Sequence, residues 1–201
     1  MLAYLLVAAI AAATAGYAAL FVPRIQRSPS RTLGVAGLLA LMTLLGCWSS
    51  ISKPALIAMT GVAPTVFATI ILVIAYNQRV ALAFASLHGV LMCVALDQPI
   101  GVYAIMVAGI GAAVWKLKEV RDRESLVRTG LFVAAALAIG TILVNLIELP
   151  PTREAIRQAG GDALFAGIGG CSAPGVQLAL LPPPARAFGL GPRPQPIQLR
   201  D

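Results

Sequence analysis

Seven runs of 17 to 23 residues contain no Asp, Glu, Lys or Arg: Leu2–Val22, Leu33–Ser52, Pro54–Tyr76, Val80–Leu96, Gln98–Trp115, Thr129–Ile147 and Ala163–Leu181. A helix needs about 20 residues to cross the hydrocarbon core of a bilayer, with roughly 17 to 25 acceptable. The runs therefore predict an all-α, polytopic transmembrane bundle of seven helices. The fourth and fifth are near the short limit, which leaves six spans plus a re-entrant segment as the alternative. Composition agrees, because only 11% of the residues are charged and 59% are hydrophobic, where a soluble domain carries about a quarter of its residues as charges.

The connections between the runs carry the cations, and their alternation predicts orientation. Lys and Arg collect on the cytoplasmic side of a membrane. Odd-numbered connections and the tail hold Arg24, Arg27, Arg31, Arg79, Lys116, Lys118, Arg121, Arg123, Arg128, Arg186, Arg193 and Arg200, and the even-numbered ones hold Lys53, Arg153 and Arg157. A split of 12 to 3 among 15 cations predicts the N-terminus outside and the C-terminus in the cytoplasm. The net charge of +7 is thus a topology signal, and no nucleic-acid partner is expected.

KLKEVRDRESLVRTG, Lys116 to Gly130, holds eight of the charges and reads as a cytoplasmic connector. Lys118 with Asp122, Glu119 with Arg123 and Glu124 with Arg128 are spaced i,i+4. With no Gly or Pro between Ala112 and Thr129, the fifth and sixth helices are expected to continue beyond the membrane as a stiff projection. It is read either as a solvated loop held by anionic headgroups or as a docking surface for a cytosolic domain. Pro54 and Pro99 stand at span starts, whereas Pro64 and Pro174 fall inside spans and are expected to kink them. Small-residue pairs, Ala12 with Gly16 and Gly109 with Ala113, are expected to let helices approach closely. Glu148 to Asp162 is expected to hold one short interfacial helix on the outer face. The proline-rich stretch after Leu181 reads as an extended exit linker.

Little in the spans carries chemistry. None contains an ionisable acid or base other than His88 among its Asp, Glu, Lys, Arg and His positions, whereas pumps and transporters place such groups at membrane depth. A lone histidine cannot build HExxH or a multi-histidine metal site, and His88 reads as an imidazole bonded to a neighbouring helix. GGCSAPG, Gly169 to Gly175, lacks the GxSxG order, so a Ser172–His88 dyad is disfavoured. Asn77 and Asn145 near span ends read as helix terminators or interhelical hydrogen-bond donors. Cys47, Cys93 and Cys171 show no CxxC spacing and indicate neither a disulfide framework nor a zinc site. MLAYLLVAAI has no basic segment ahead of it, so no removable signal peptide is read.

The order of KPALIAMTGVAPTVFATIILVIAYNQRVALAFASLHGVL, AAVWKLKEVRDRESLVRTGLFVAAALAI, LLPPPARAFG and PIQLRD resembles the membrane region of the bacterial seven-transmembrane HD-type phosphohydrolases. The likeness runs through a proline-led span ending in an Asn/Arg turn (Pro54, Asn77, Arg79, Ala81). A basic connector before a Gly-initiated span follows (Arg121, Arg123, Arg128, Gly130), then a Leu-Pro exit with an aromatic-Gly pair (Leu181, Pro182, Phe188, Gly189). It covers about residues 50 to 201 and, more loosely, the first two spans.

The resemblance implies a cytosolic HD domain that hydrolyses cyclic di-AMP with a dinuclear metal site of His and Asp, and an extracytoplasmic sensing domain ahead of the bundle. This sequence has one histidine and no His-Asp dipeptide, so neither domain is expected within it. No catalytic, cofactor-binding or metal-binding residue is assigned, and divalent metal belongs to the missing HD domain. The expectation is a seven-transmembrane region at residues 1–185 and a cytoplasmic linker at 186–201, in a bacterial cytoplasmic membrane. It anchors and signals to an HD domain in cis or trans, and oligomerisation is compatible with it. The connector cations Lys116, Lys118, Arg121, Arg123 and Arg128 and the exit residues Pro182, Arg186, Phe188 and Gly189 are the expected contact points. A small permease or channel subunit is the alternative.

Overall fold

Each of the seven charge-free runs overlaps one helix, and the helix ends show what the charge pattern left open. The computed structural model describes residues 2–21, 29–52, 57–117, 123–148, 150 and 152–180. Among these, the elements are α1 (Leu2–Phe21), α2 (Pro29–Ser52), α3 (Ile57–Ala75), α4 (Gln78–Ala95), α5 (Ile100–Lys116), α6 (Arg123–Glu148) and α7 (Arg153–Leu180), with no strand. By length and composition three stretches are able to cross a membrane, Thr32–Ile51, Gln78–Ala95 and Val127–Glu148, and Val7–Ala18, Gly61–Ala75 and Ile100–Lys116 are shorter apolar helices.

Neighbouring helices alternate in direction, as contacts at their ends show. Gln78 at the start of α4 donates from Nε2 to the Val114 carbonyl at the end of α5, 3.0 Å away. Asn145 near the end of α6 donates to Asp162 near the start of α7, and the Cys171 thiol reaches the Gly130 carbonyl at their other ends. Gly61 near the start of α3 lies beside Leu96 after α4. Val35 of α2 packs with Leu72 of α3 and with Val80 and Phe84 of α4. Tyr17, late in α1, meets Phe84 edge-on with ring centroids 5.8 Å apart.

Helix α3 is the hub. It packs against α2, α4, α5 and α7, and Val62, Thr65, Val66, Ala68, Thr69, Ile70 and Leu72 are all buried, the all-round burial expected of an interior helix. Pro64 lies inside it. Pro174 falls within α7, and Pro54 lies outside the described residues. On the periphery the apolar side chains turn outward: Leu33, Leu44, Trp48 and Ile51 of α2 and Leu131, Ile139, Leu143 and Ile147 of α6 are exposed. A surface this apolar marks a membrane or partner environment.

Close packing concentrates around Leu137 of α6, which is fully buried. A Cβ on Gly109 of α5 would come 2.6 Å from Leu137 Cδ2, and one on Gly170 of α7 would come 3.0 Å from the Ala134 backbone and from Leu137 Cδ1. Gly109 and the fully buried Ala113 therefore do serve close helix approach. The other expected pair does not, since Ala12 is exposed and nothing lies within 4 Å of a Cβ on Gly16. The peripheral position of α1, which packs chiefly on α4, leaves that stripe without a neighbour among the described residues.

The charged connections are only partly described. Helix α5 runs to Lys116, with Leu117 buried in the core and its amide still bonded to the Ala113 carbonyl in the helical pattern, and the expected continuation through residues 118–122 lies outside the described residues. Helix α6 does begin at Arg123, six residues ahead of its charge-free run, so only that half of the expected projection is helical among the described residues. On the opposite side there is no separate interfacial helix. The Thr152 hydroxyl accepts from the Ala155 amide at 3.2 Å, and the helix it caps runs unbroken from Arg153 to Leu180. At about 1.5 Å per residue its 28 residues exceed a bilayer core, which accommodates the polar first turns.

Candidate functional site

The most polar point of the interior is on α4. That helix starts at Asn77, whose Oδ1 accepts from the Val80 amide at 2.8 Å, an N-cap that satisfies one of the orphan donors of the first turn. Ten residues beyond Gln78, about 15 Å along the axis, His88 is buried. Its Nε2 lies 3.1 Å from Thr43 Oγ1 on α2 and its Nδ1 lies 3.2 Å from Thr65 Oγ1 on α3.

The partners assign the tautomer. The Thr43 hydroxyl donates to the Leu39 carbonyl at 2.9 Å. Its single proton is committed there, so Thr43 accepts from Nε2–H, and Nδ1 accepts from Thr65. Thr69 donates to the Thr65 carbonyl at 2.7 Å, extending the polar line along α3. Three helices are thus joined by one directional chain of hydrogen bonds, and both ring nitrogens are used. His88 is the interhelical imidazole expected, with two neighbouring helices rather than one. It is no base for Ser172, whose hydroxyl donates to the Gly169 carbonyl of its own helix at 2.9 Å. Asn145, donating to Asp162, is the interhelical donor expected, and Asn77 is a helix terminus.

The two ends of the bundle differ in charge. Asp97, Glu148, Glu154 and Asp162, interspersed with Arg153 and Arg157, lie at the end where α4 and α6 finish and α5 and α7 begin. There Gly101 leaves the space taken by Val144 and the Glu148 carboxylate, which brings a negative group to the N-terminal turn of α5, a favourable place for it. At the opposite end Arg79, Lys116 and Arg128 are exposed. Of the connector cations expected to act, Lys116 and Arg128 are therefore brought to one end. Arg123 opens α6, and Lys118 and Arg121 lie outside the described residues, as do Pro182, Arg186, Phe188 and Gly189 of the exit.

Sequence reasoning passed over two features. Thr43 and Thr65 gave no periodic signal, although both stand mid-helix, where His88 also stands. Trp115 and Phe132 meet edge-on with centroids 5.6 Å apart at the mouth of the α5–α6 pair. Among the described residues no three His, Cys, Asp or Glu side chains come together. The arrangement is thus suited to holding and coupling helices, with a cationic face at one end.

A family model described as 7TM receptor with intracellular HD hydrolase matches residues 1–190. No curated protein and no solved structure matches the chain.

Proposed function

Since the chain belongs to the family of 7TM receptors with intracellular HD hydrolase, with residues 1–190 matched, we propose that it is a signal-transmitting membrane region that acts on a cytosolic HD domain in cis or in trans. The family match is the observation that carries this reading. In it the seven helices cross a bacterial cytoplasmic membrane, with the N-terminus outside and the C-terminus inside. The alternating helix directions and the 12 to 3 division of cations support that orientation. The membrane region ends near residue 185, and residues 186–201 form the linker. The HD domain hydrolyses the cyclic dinucleotide cyclic di-AMP with divalent metal.

The residues of this chain do not fit a dinuclear metal centre. There is one histidine, and Thr43 and Thr65 occupy both its nitrogens. The work of the chain is mechanical: α3, packed against four other helices, passes displacement between the two ends, and the connector around Lys116–Arg128 with the exit around Pro182, Arg186, Phe188 and Gly189 meets the HD domain. Lys118, Arg121 and Arg123 belong to the same contact.

Reporter fusions test the topology. Fusions after Arg31, Arg128 and Asp201 are expected to report cytoplasm and one after Arg157 the exterior; a cytoplasmic signal at Arg157 overturns the seven-crossing reading. The purified chain is expected not to hydrolyse cyclic di-AMP, and manganese-dependent turnover lost on chelation contradicts the assignment of catalysis to another domain. In a fusion to a family HD domain, shuffling the charged residues of the connector is expected to change hydrolysis without changing topology. Unchanged activity reduces the connector to an anchor.

A further inference from the structure

Helix α5 presents an apolar face that is short for a bilayer, and polar groups from its neighbours shorten it further. Its outward stripe, Ile100, Ala104, Val107 and Trp115 at helical spacing, is exposed, most strongly at its two ends. From Ile100 to Trp115 the rise is about 23 Å, against the roughly 30 Å of a hydrocarbon core. At one end the Glu148 carboxylate of α6 lies beside Gly101, already within α5. At the other the Gln78 amide of α4 is bonded to the Val114 carbonyl at 3.0 Å, with Arg79 and Lys116 exposed nearby. Gly101 and Val114 are about 20 Å apart along the axis. A lysine reaches outward from such an edge, but the Glu148 carboxylate is turned onto the first turn of α5 and the Gln78 amide is held by its bond. Helix α2 differs. Leu33–Ser52 is charge-free and wholly helical, a rise of about 29 Å, and Leu33, Leu41, Leu44 and Ile51 are exposed along it.

We propose that the α5 face is a thin point in the perimeter of the bundle, where the bilayer is drawn in and phospholipids with short acyl chains are bound in preference to long ones. Length selects the occupant, and the headgroup does not. A helix too short for the local hydrocarbon gains nothing by tilting, which shortens its span, so the bilayer thins against it at a modest cost for each ångström of mismatch. Short acyl chains remove that cost at α5 and bring none of the same benefit at α2, whose length already matches. The proposal rests on the membrane reading given above and adds to it a class of lipid and the face that takes it.

The chain has two tryptophans, Trp48 and Trp115, and replacing both by Phe clears the background for a single reporter. In that background V107W stands midway along the α5 face and L41W midway along α2, where the native side chains are 39% and 52% exposed. Each protein is reconstituted in brominated dioleoyl-phosphatidylcholine mixed at equal mole fraction with unbrominated phosphatidylcholine, either dimyristoleoyl or dioleoyl. The fluorescence recovered measures how well the unbrominated lipid displaces the quencher from the reporter. The shorter lipid is expected to displace it about two-fold better than the longer one at V107W, and no better at L41W. E148L moves the outer polar edge of the face out to Asp97 and is expected to lower the preference at V107W. Equal displacement at V107W, the same short-chain preference at L41W, or a preference unmoved by E148L overturns the thin point and leaves the membrane reading standing. Quenching at L41W with none at V107W also overturns it, because protein and not lipid then covers α5. Quenching at neither position overturns the membrane reading as well.

Discussion

The α2–α3–α4 half of the bundle and the α5–α6–α7 half are held together by different physics. Around His88 three helices are joined through side chains, Thr65 to imidazole to Thr43 to the Leu39 carbonyl. Around Leu137 three helices are joined by shape, with glycines on α5 and α7 leaving the volume that one leucine fills. In an apolar solvent there is no hydrophobic drive between helices, and association comes from packing and interhelical hydrogen bonds. The molecule uses one at each of these two centres, and adds hydrogen bonds between α6 and α7 at Asn145–Asp162 and Cys171–Gly130 away from Leu137. A hydrogen-bonded junction fixes register while leaving the helices room to pivot about it, whereas a junction made by backbone approach resists both translation and rotation.

The sharpest break of the comparison is Gly170→Val. Its new atoms meet the Ala134 backbone, which cannot rotate aside, and the loss is expected to be about 3 kcal/mol, visible as a collapsed melting transition or loss of a monodisperse peak in detergent. Gly109→Ala should cost less, since its nearest obstacle is the Leu137 side chain; equal losses at the two sites remove the distinction between backbone and side-chain obstacles. Next is His88→Ala, expected to cost about 2 kcal/mol by leaving a cavity and taking the acceptor from the Thr65 hydroxyl. A double-mutant cycle with Thr43→Val should show a coupling of about 0.6 kcal/mol or more. No coupling dissolves the tie and makes the centre at His88 as steric as the one at Leu137.

The smaller effects concern the ends of α4, which lines both halves. Asn77→Ala removes the cap on Val80 and is expected to cost about 1 kcal/mol in the same melt. At the other end Asp97 has a φ of 50°, and the amide of Gln98 bonds the Cys93 carbonyl at 2.9 Å, the closure of a helix that prefers glycine at this position. Asp97→Gly is expected to gain about 0.5 kcal/mol. A loss there would mean that the carboxylate makes a contact worth more than the backbone strain.

Most helix positions were legible because charge is so costly at membrane depth that it punctuates the chain. The run Val80–Leu96 became Gln78–Ala95, and Leu33–Ser52 became the greater part of Pro29–Ser52. Ends set by tertiary contacts were not legible. Nothing in the charge pattern reports that Leu117, beyond the charge-free run, is buried in the core, or that Thr152 starts α7 ten residues before its charge-free run. His88 was readable as an interhelical group because it is the only histidine, but its partners were not, since threonine in an apolar helix usually bonds its own preceding turn, as Thr141 does to Leu137. Only proximity distinguishes Thr43 and Thr65 from it. The aromatic pair at Trp115 and Phe132 joins residues on two helices, and no spacing along one chain encodes that.

Between α3 and α4 the chain has only Tyr76 and Asn77, and this brevity bears on how the protein is made. In the membrane orientation proposed above, a two-residue reversal gives no opportunity for one helix to be threaded while the other waits in water, so during synthesis the pair is expected to enter the bilayer together as a hairpin. Gly61–Ala75 is the shorter apolar helix and Gln78–Ala95 the one long enough to cross by itself, which makes the later segment the driver and the earlier one its passenger. Thr65 and His88 would meet within that hairpin, concealing a hydroxyl and an imidazole from the lipid before the last three helices have left the ribosome.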